Sequence, residues 1–189
     1  MCSSNKVQLS DSLIAVLAGR RPDAQDADAA RFPIINLLKV KSRVLETLTN
    51  EGIKILVCSA ACGADLLSLE AANQLGIDTH VFLPFSPEIF KQKSVIDRPG
   101  DWGRLYDMVV KEAKGKEHLY LLNYEANDND AFFKTNEEMI SFAKNLADGA
   151  GVTSIVVWDG QPRGGGDSTQ QFAEKSWQAG FRRIEIPTL

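Results

Sequence analysis

Cysteine and histidine are scarce in this chain: three cysteines and two histidines in 189 residues. Cys58 and Cys62 lie four apart at the end of an apolar run, Cys2 stands alone, and neither His80 nor His118 is near a cysteine pair. A zinc site needs about four ligands of these types, so no Cys/His metal site is expected. So few cysteines fit a reduced, cytoplasmic protein rather than a disulfide scaffold. Long apolar runs are missing as well. Nothing approaches the roughly 18 residues that cross a bilayer, and the polar stretch 1–10 lacks the apolar core of a signal peptide. No long basic run occurs, and a net charge of −4 counts against sequence-independent nucleic-acid binding. No repeat, low-complexity tract or linker divides the chain, which reads as a single domain over 1–189, long enough for a core.

What is present is alternation. Apolar runs at 13–18, 53–58, 79–83, 117–122, 152–158 and 182–186 read as six strands. Helical spacing fills 33–50, 66–75, 87–93, 102–114, 132–147 and 167–178. Pro33 in the first turn and Gly52 past the end punctuate the first helix. Nearly continuous apolar strands between helices predict an α/β, Rossmann-like fold: a mainly parallel six-stranded sheet with helices on both faces. Such sheets bind ligands at the carboxyl ends of their strands, near the switch in strand order.

Each motif follows a strand. Ser59-Ala60-Ala61-Cys62-Gly63-Ala64-Asp65 leaves the second strand and opens a helix. Small side chains there let a ligand approach backbone N–H groups, and the helix dipole favours an anion. Asp65, in the first helical turn, can cap free N–H groups or bind a ribose hydroxyl. Cys62 has a setting that lowers thiol pKa, but no local His to act as base, so it reads as a small packed residue. Arg163-Gly164-Gly165-Gly166-Asp167-Ser168-Thr169 is a second turn of this kind, with Asp167 also placed as an N-cap. Two anion-ready turns point to a phosphate-bearing ligand, most simply a nucleotide.

Gly19-Arg20-Arg21-Pro22 follows the first strand, where either guanidinium can pair with phosphate. Both arginines are expected in an exposed loop. Pro84-Phe85 ends the third strand; Phe85 can stack on a base or belong to the core. The stretch 90–104, with Lys91, Lys93, Arg98, Trp102 and Arg104, can cover the crevice or form a plain surface excursion.

In this order the motifs resemble the SLOG superfamily, Rossmann-like proteins that include the lysine-decarboxylase-like LOG enzymes and the DNA-processing DprA proteins. The likeness runs from Ala18-Gly19-Arg20 to Ile186. It is nearest to branches with the Ser59–Asp65 turn, Leu83-Pro84-Phe85, Ser94-Val95, a Trp-x-x-Arg helix start and a Trp158-Asp159-Gly160 loop before a glycine-rich turn. Trp102-Gly103-Arg104 is one residue shorter than that helix start. The resemblance implies a nucleotide or nucleotide-derived ligand across the strand ends, contacting Gly19, Arg20, Arg21, Ser59, Ala60, Cys62, Gly63, Asp65, Pro84, Phe85, Arg104, Asp159, Gly164, Gly165, Gly166, Asp167, Ser168 and Thr169.

LOG enzymes cleave the N-glycosidic bond of nucleoside monophosphates and carry an acidic residue shortly after the Thr of their glycine-rich motif. Here Gln170 and Gln171 follow Thr169, and Gln can neither stabilise an oxocarbenium ion by charge nor act as a base. That departure favours a ligand sensor, of the kind ascribed to branches in bacterial defence systems, over an N-glycosidase-type hydrolase acting on a nucleoside monophosphate or an NAD-like molecule. Asp65, Asp159, Asp167 and Glu174 are the only nearby carboxylates. No catalytic residue is assigned, and no cofactor or metal is expected. The expected partner is a small nucleotide-derived molecule, with no nucleic acid or membrane; a homo-oligomer is compatible with all of this.

Overall fold

The computed structural model describes residues 13–189; Cys2 and the polar stretch 1–10 lie outside them. The chain runs β1 (Ile14–Gly19), a 3-10 turn (Ile34–Asn36), α1 (Leu37–Asn50), β2 (Ile55–Cys58), α2 (Ala64–Gln74), β3 (Asp78–Leu83), α3 (Pro87–Ser94), α4 (Trp102–Gly115), β4 (Leu119–Leu121), α5 (Ala131–Ala147), β5 (Val152–Trp158), α6 (Ser168–Gln178) and β6 (Arg182–Pro187). Every strand pairing is parallel, in the order β4-β3-β2-β1-β5-β6. The chain therefore steps outward from β1 to β4. It then crosses back to lay β5 against the other side of β1, and the strand order reverses between β1 and β5.

Burial explains the layers. β5 is buried at all of its residues, as a central strand covered on both faces must be. On one face Leu17, Leu56 and Val157 pack under α1, α2, α3 and α4, through Val44, Leu66, Phe90 and Tyr106. On the other, Val16, Phe82 and Val156 pack under α5 and α6, through Met139 and Phe172. α1 presents one apolar stripe, Val40, Val44 and Leu48, the i, i+4 spacing of a helix with a single buried side. α2 is wedged between α1, α4 and the sheet, and eight of its eleven residues are buried. Its alanines and Ser68 allow that crowding. Ser86 caps α3 by accepting from the Ile89 N–H, with Pro87 at the first helical position, the combination that starts a helix cleanly.

The fourth expected strand, 117–122, is shorter than its sequence suggests. Only Leu119–Leu121 pair, along one edge of β3. Glu117 and Asn123 on either side have positive φ, 60° and 54°, which breaks the extended run at both ends.

Two glycines set the approach of β1 to α2. A Cβ on Gly19 would stand 2.5 Å from Ala64 Cβ and 2.6 Å from the Val157 carbonyl oxygen. Gly63, at φ 90°, opens α2, and a Cβ there would stand 2.6 Å from Pro22 Cδ. Gly19→Ala should therefore destabilise the protein by about 1–3 kcal/mol, the range for overpacking a filled interior. A denaturant midpoint equal to that of wild type would show that the β1–α2 approach is looser than this.

Candidate functional site

The strand-order switch places three loops together. Gly19–Arg21 leaves β1, the Ser59–Asp65 turn leaves β2, and the loop after β5 runs to the start of α6. They line a crevice of about 420 Å³ at the carboxyl ends of the strands, where open parallel sheets bind ligands. Of the residues expected there, Gly19, Arg20, Arg21, Ser59, Asp65, Gly166, Asp167, Ser168 and Thr169 line it. A second cavity of about 330 Å³ adjoins it, sharing Arg21 and Arg163 and adding Arg31 and Arg98.

Arg20 is not in an exposed loop. It is 1% exposed and lies beneath the crevice. Its Nε donates to Asp159 Oδ1 at 3.3 Å, its Nη1 to Asp167 Oδ1, and its Nη2 to the Gln161 carbonyl at 2.6 Å. Its backbone N–H donates to Val157 O at 2.8 Å. Asp159 accepts a further bond from Arg31 Nη1 at 2.8 Å. The fork geometry of guanidinium suits this multiple bonding. Its partners lie some 140 residues further along the chain, so no local pattern marks it as buried.

Asp167 is just as occupied. Its carboxylate accepts from the N–H groups of Arg163, Thr169 and Gln170 at 2.8, 3.1 and 3.2 Å. Burial pushes its pKa up, but bonds from Arg20 and these N–H groups outweigh that and hold it below the ordinary carboxylate value. The protein's own carboxylate thus takes N–H groups of the second turn that were expected to receive an anion.

The first turn is partly self-satisfied too. Cys62 N–H donates to Ser94 O at 2.9 Å and Ala64 N–H to Arg20 O at 3.1 Å. Ala61 N–H donates to Asp65 Oδ2 at 3.2 Å, so Asp65 does cap its turn. Asp65 Oδ1, however, is buried and makes no aligned hydrogen bond, with the Cys58 thiol and the Gly19 N–H beside the carboxylate, and the residue lines the crevice at 6% exposure. Desolvation raises its pKa to about 7, against the pull of neighbouring N–H groups and Arg21. Ser59 Oγ donates to Phe82 O at 2.9 Å. Cys62 is fully buried, and burial pushes its thiol up to about 12, the opposite of an activated nucleophile.

Other expected residues stand apart. Ala60 and Phe85 are core residues, and Phe85 meets Phe132 edge-on at 5.8 Å. The Pro84 carbonyl accepts from Tyr124 N–H at 2.8 Å. Gly164 and Gly165 are exposed in the loop. Arg104 is exposed on α4, where it lines a separate groove with Leu105 and Met108, so it is not brought to the crevice. Glu174 is exposed and accepts from Gln170 Nε2 at 2.8 Å.

Phe90 and Lys93, from α3, line the crevice and belong to the stretch 90–104 expected to cover it. Phe132, Asn136 and Met139 come from α5 and carried no motif. Asn136 Nδ2 donates to Ser168 O and to Gln171 Oε1, both at 2.9 Å, and so ties α5 to the start of α6. Nothing in the local sequence marks the α5 residues, because the crossover that brings α5 over β1 is a property of the topology.

No known protein family matches the sequence, and no curated protein matches it. Among solved structures, DNA processing protein A (DprA) from Streptococcus pneumoniae superposes with a TM-score of 0.57 at 16% identity. The likeness is one of fold. The match covers 95% of this chain and 52% of that one, so this chain spans about half the length of that protein.

Removing Arg20 leaves the buried Asp167 carboxylate without a cation and Asp159 with Arg31 alone. Arg20→Met should cost about 3–5 kcal/mol, whereas Arg21→Ala, which breaks a partly exposed pair with Asp97 and a long bond to the Lys93 carbonyl, should cost about 1 kcal/mol or less. Equal unfolding midpoints for the two variants would contradict this.

Asp65 makes stability depend on pH. Its ordinary value is 3.8 and its folded value about 7. Between these the unfolded chain has released the proton and the folded chain keeps it, so its contribution is lost as pH rises and is gone above about 7. The stability of Asp65→Asn relative to wild type should therefore widen from pH 4 to 7, by on the order of a few kcal/mol, then stay constant. A difference flat across that window would show that the carboxyl is better solvated than its burial indicates.

Proposed function

We infer that this chain binds a nucleotide or nucleotide-derived molecule in the crevice where β1, β2 and β5 end. The observation that carries the reading is Asp65: a carboxylate at a helix start, buried in the crevice wall, with one oxygen making no aligned hydrogen bond beyond the weak donor offered by the Cys58 thiol. Such an atom costs stability and calls for a donor from a ligand, as a ribose hydroxyl or a base amino group supplies. Arg20 and Asp167 neutralise one another, which leaves Lys93, Arg163 and Arg21, the last paired with the partly exposed Asp97, as the remaining cations of the crevice against Asp65. Because several backbone N–H groups of both turns already have acceptors, a phosphate is met chiefly by these side chains. Burial and the nearby charge of Arg20 push Arg163 below its ordinary pKa, and an anion would relieve that crowding. Phe90, Phe132 and Met139 offer an apolar wall for a base. The resemblance to SLOG proteins agrees with this reading and suggests a sensor role.

A hydrolase of the N-glycosidase type is the second reading, and Asp65 again is the reason. Asp159 and Asp167 are engaged by Arg20, and Glu174 lies outside the crevice. Asp65 alone remains, with a proton that titrates near neutrality, as a general acid or base requires. DNA processing, named for the structural neighbour, is disfavoured for this chain by its net charge of −4.

A thermal-shift and calorimetry panel of nucleoside monophosphates, cyclic nucleotides, NAD and ADP-ribose tests this. At least one should bind and raise the melting temperature. Arg21→Ala and Arg163→Ala should each weaken binding by about 1–3 kcal/mol. No free base should be released on long incubation. Base release that disappears in Asp65→Asn would establish the hydrolase instead, and no binding across the panel would remove the nucleotide reading.

A further inference from the structure

The two histidines, 38 residues apart in sequence, meet at the opposite end of the sheet. Asp78 opens β3 and His80 follows on the same face, since alternate residues of a strand point the same way. Val81 pairs with Leu119, a register that sets His118 beside His80. The imidazole rings stack at 4.0 Å. His118 Nδ1 lies 3.2 Å from Asp78 Oδ1, and His80 Nε2 lies 3.8 Å from Asp78 Oδ2. One donor atom from each of the three residues falls within 4.8 Å of the others.

We propose that Asp78, His80 and His118 form a binding site for a late first-row divalent metal ion, with zinc the best fit. Two imidazoles and a carboxylate are the donor set of three-ligand sites that leave a further position to water. Three features support it. His118 Nδ1 is buried and makes no aligned hydrogen bond, so its lone pair lacks a donor in the protein. His80 Nδ1 is 2.9 Å from the Tyr120 hydroxyl; with the proton on Nδ1, Nε2 is left free to ligate, the outer-shell arrangement that fixes a metal-binding histidine. Lys116, a cation that feels the Asp78 charge, is engaged by Glu112 at 2.8 Å.

The donors must draw together by about 1 Å, since tetrahedral zinc–nitrogen bonds of about 2.1 Å put ligand atoms about 3.4 Å apart. They must also turn out of the stack, where their lone pairs run side by side. The side chains of His118 and Asp78 are 26% and 43% exposed, so these two have room to move and solvent can deliver the ion. The packed ring of His80, against Phe142 at 5.1 Å, is the fixed member. An ion here would join β3 to the start of β4, the shortest strand of the sheet. This site is independent of any ligand in the crevice.

The test uses the full chain, stripped with a chelator and titrated with Zn²⁺ and Co²⁺. One equivalent should bind and raise the melting temperature, and the Co²⁺ spectrum should show nitrogen and oxygen ligation without a thiolate charge-transfer band. His118→Gln and Asp78→Asn, both at partly exposed positions, should each weaken binding at least about tenfold, and Tyr120→Phe about tenfold. Absence of binding by wild type, unchanged affinity in both ligand variants, or a thiolate band pointing to the cysteines would each overturn the proposal.

Discussion

The buried guanidinium of Arg20 is the constraint on which the carboxyl end of this sheet depends. It extends the central strand β1 by one residue and binds the loop after β5 at three points, Asp159, Gln161 and Asp167. Asp167 in turn caps α6. One side chain thus fixes the exit of β1, the path of the glycine-rich loop and the start of a helix. A buried ion pair adds little net stability, but losing one partner is costly. Its effect is to allow one loop conformation rather than many.

The same network settles which groups remain for a ligand. Charges that look available in the sequence are spent on each other: Arg20 on Asp159 and Asp167, and Arg31 on Asp159. The groups left over are of two kinds. Lys93 and Arg163 stand around the two adjoining cavities, beside Arg21 and Arg98, which share the Asp97 carboxylate, and Asp65 lies within the crevice wall. Cationic groups on the rim and a lone buried acceptor inside suit a ligand with an anionic end and a hydroxyl- or amine-bearing end. They suit a long uniform polyanion less well.

The two ends of the sheet divide the titratable chemistry between them. At the carboxyl ends, Asp65 carries an elevated pKa among helix-start N–H groups. At the amino ends of β3 and β4, two imidazoles and a carboxylate gather around the edge of the sheet. Parallel pairing causes both concentrations. All strand ends of one sense lie on one side, so residues distant in sequence but at equivalent strand positions become neighbours.

The sequence by itself determined the layered fold. The strands at 13–18, 79–83 and 152–158 and the helices at 102–114 and 132–147 recur within a residue or two, because apolar periodicity reports local burial. It also marked the turns around Ser59–Asp65 and Arg163–Thr169 as strand exits, because small residues and glycine have few other uses there. It did not reveal that Arg20 lies beneath the crevice, that Arg104 faces a different groove, that α5 supplies one wall, or that His80 stacks on His118. Each depends on strand order and register, which bring together residues 38 to 147 positions apart. No local pattern encodes such pairings; only the tertiary structure decides which charges meet, and therefore which remain free to meet a ligand.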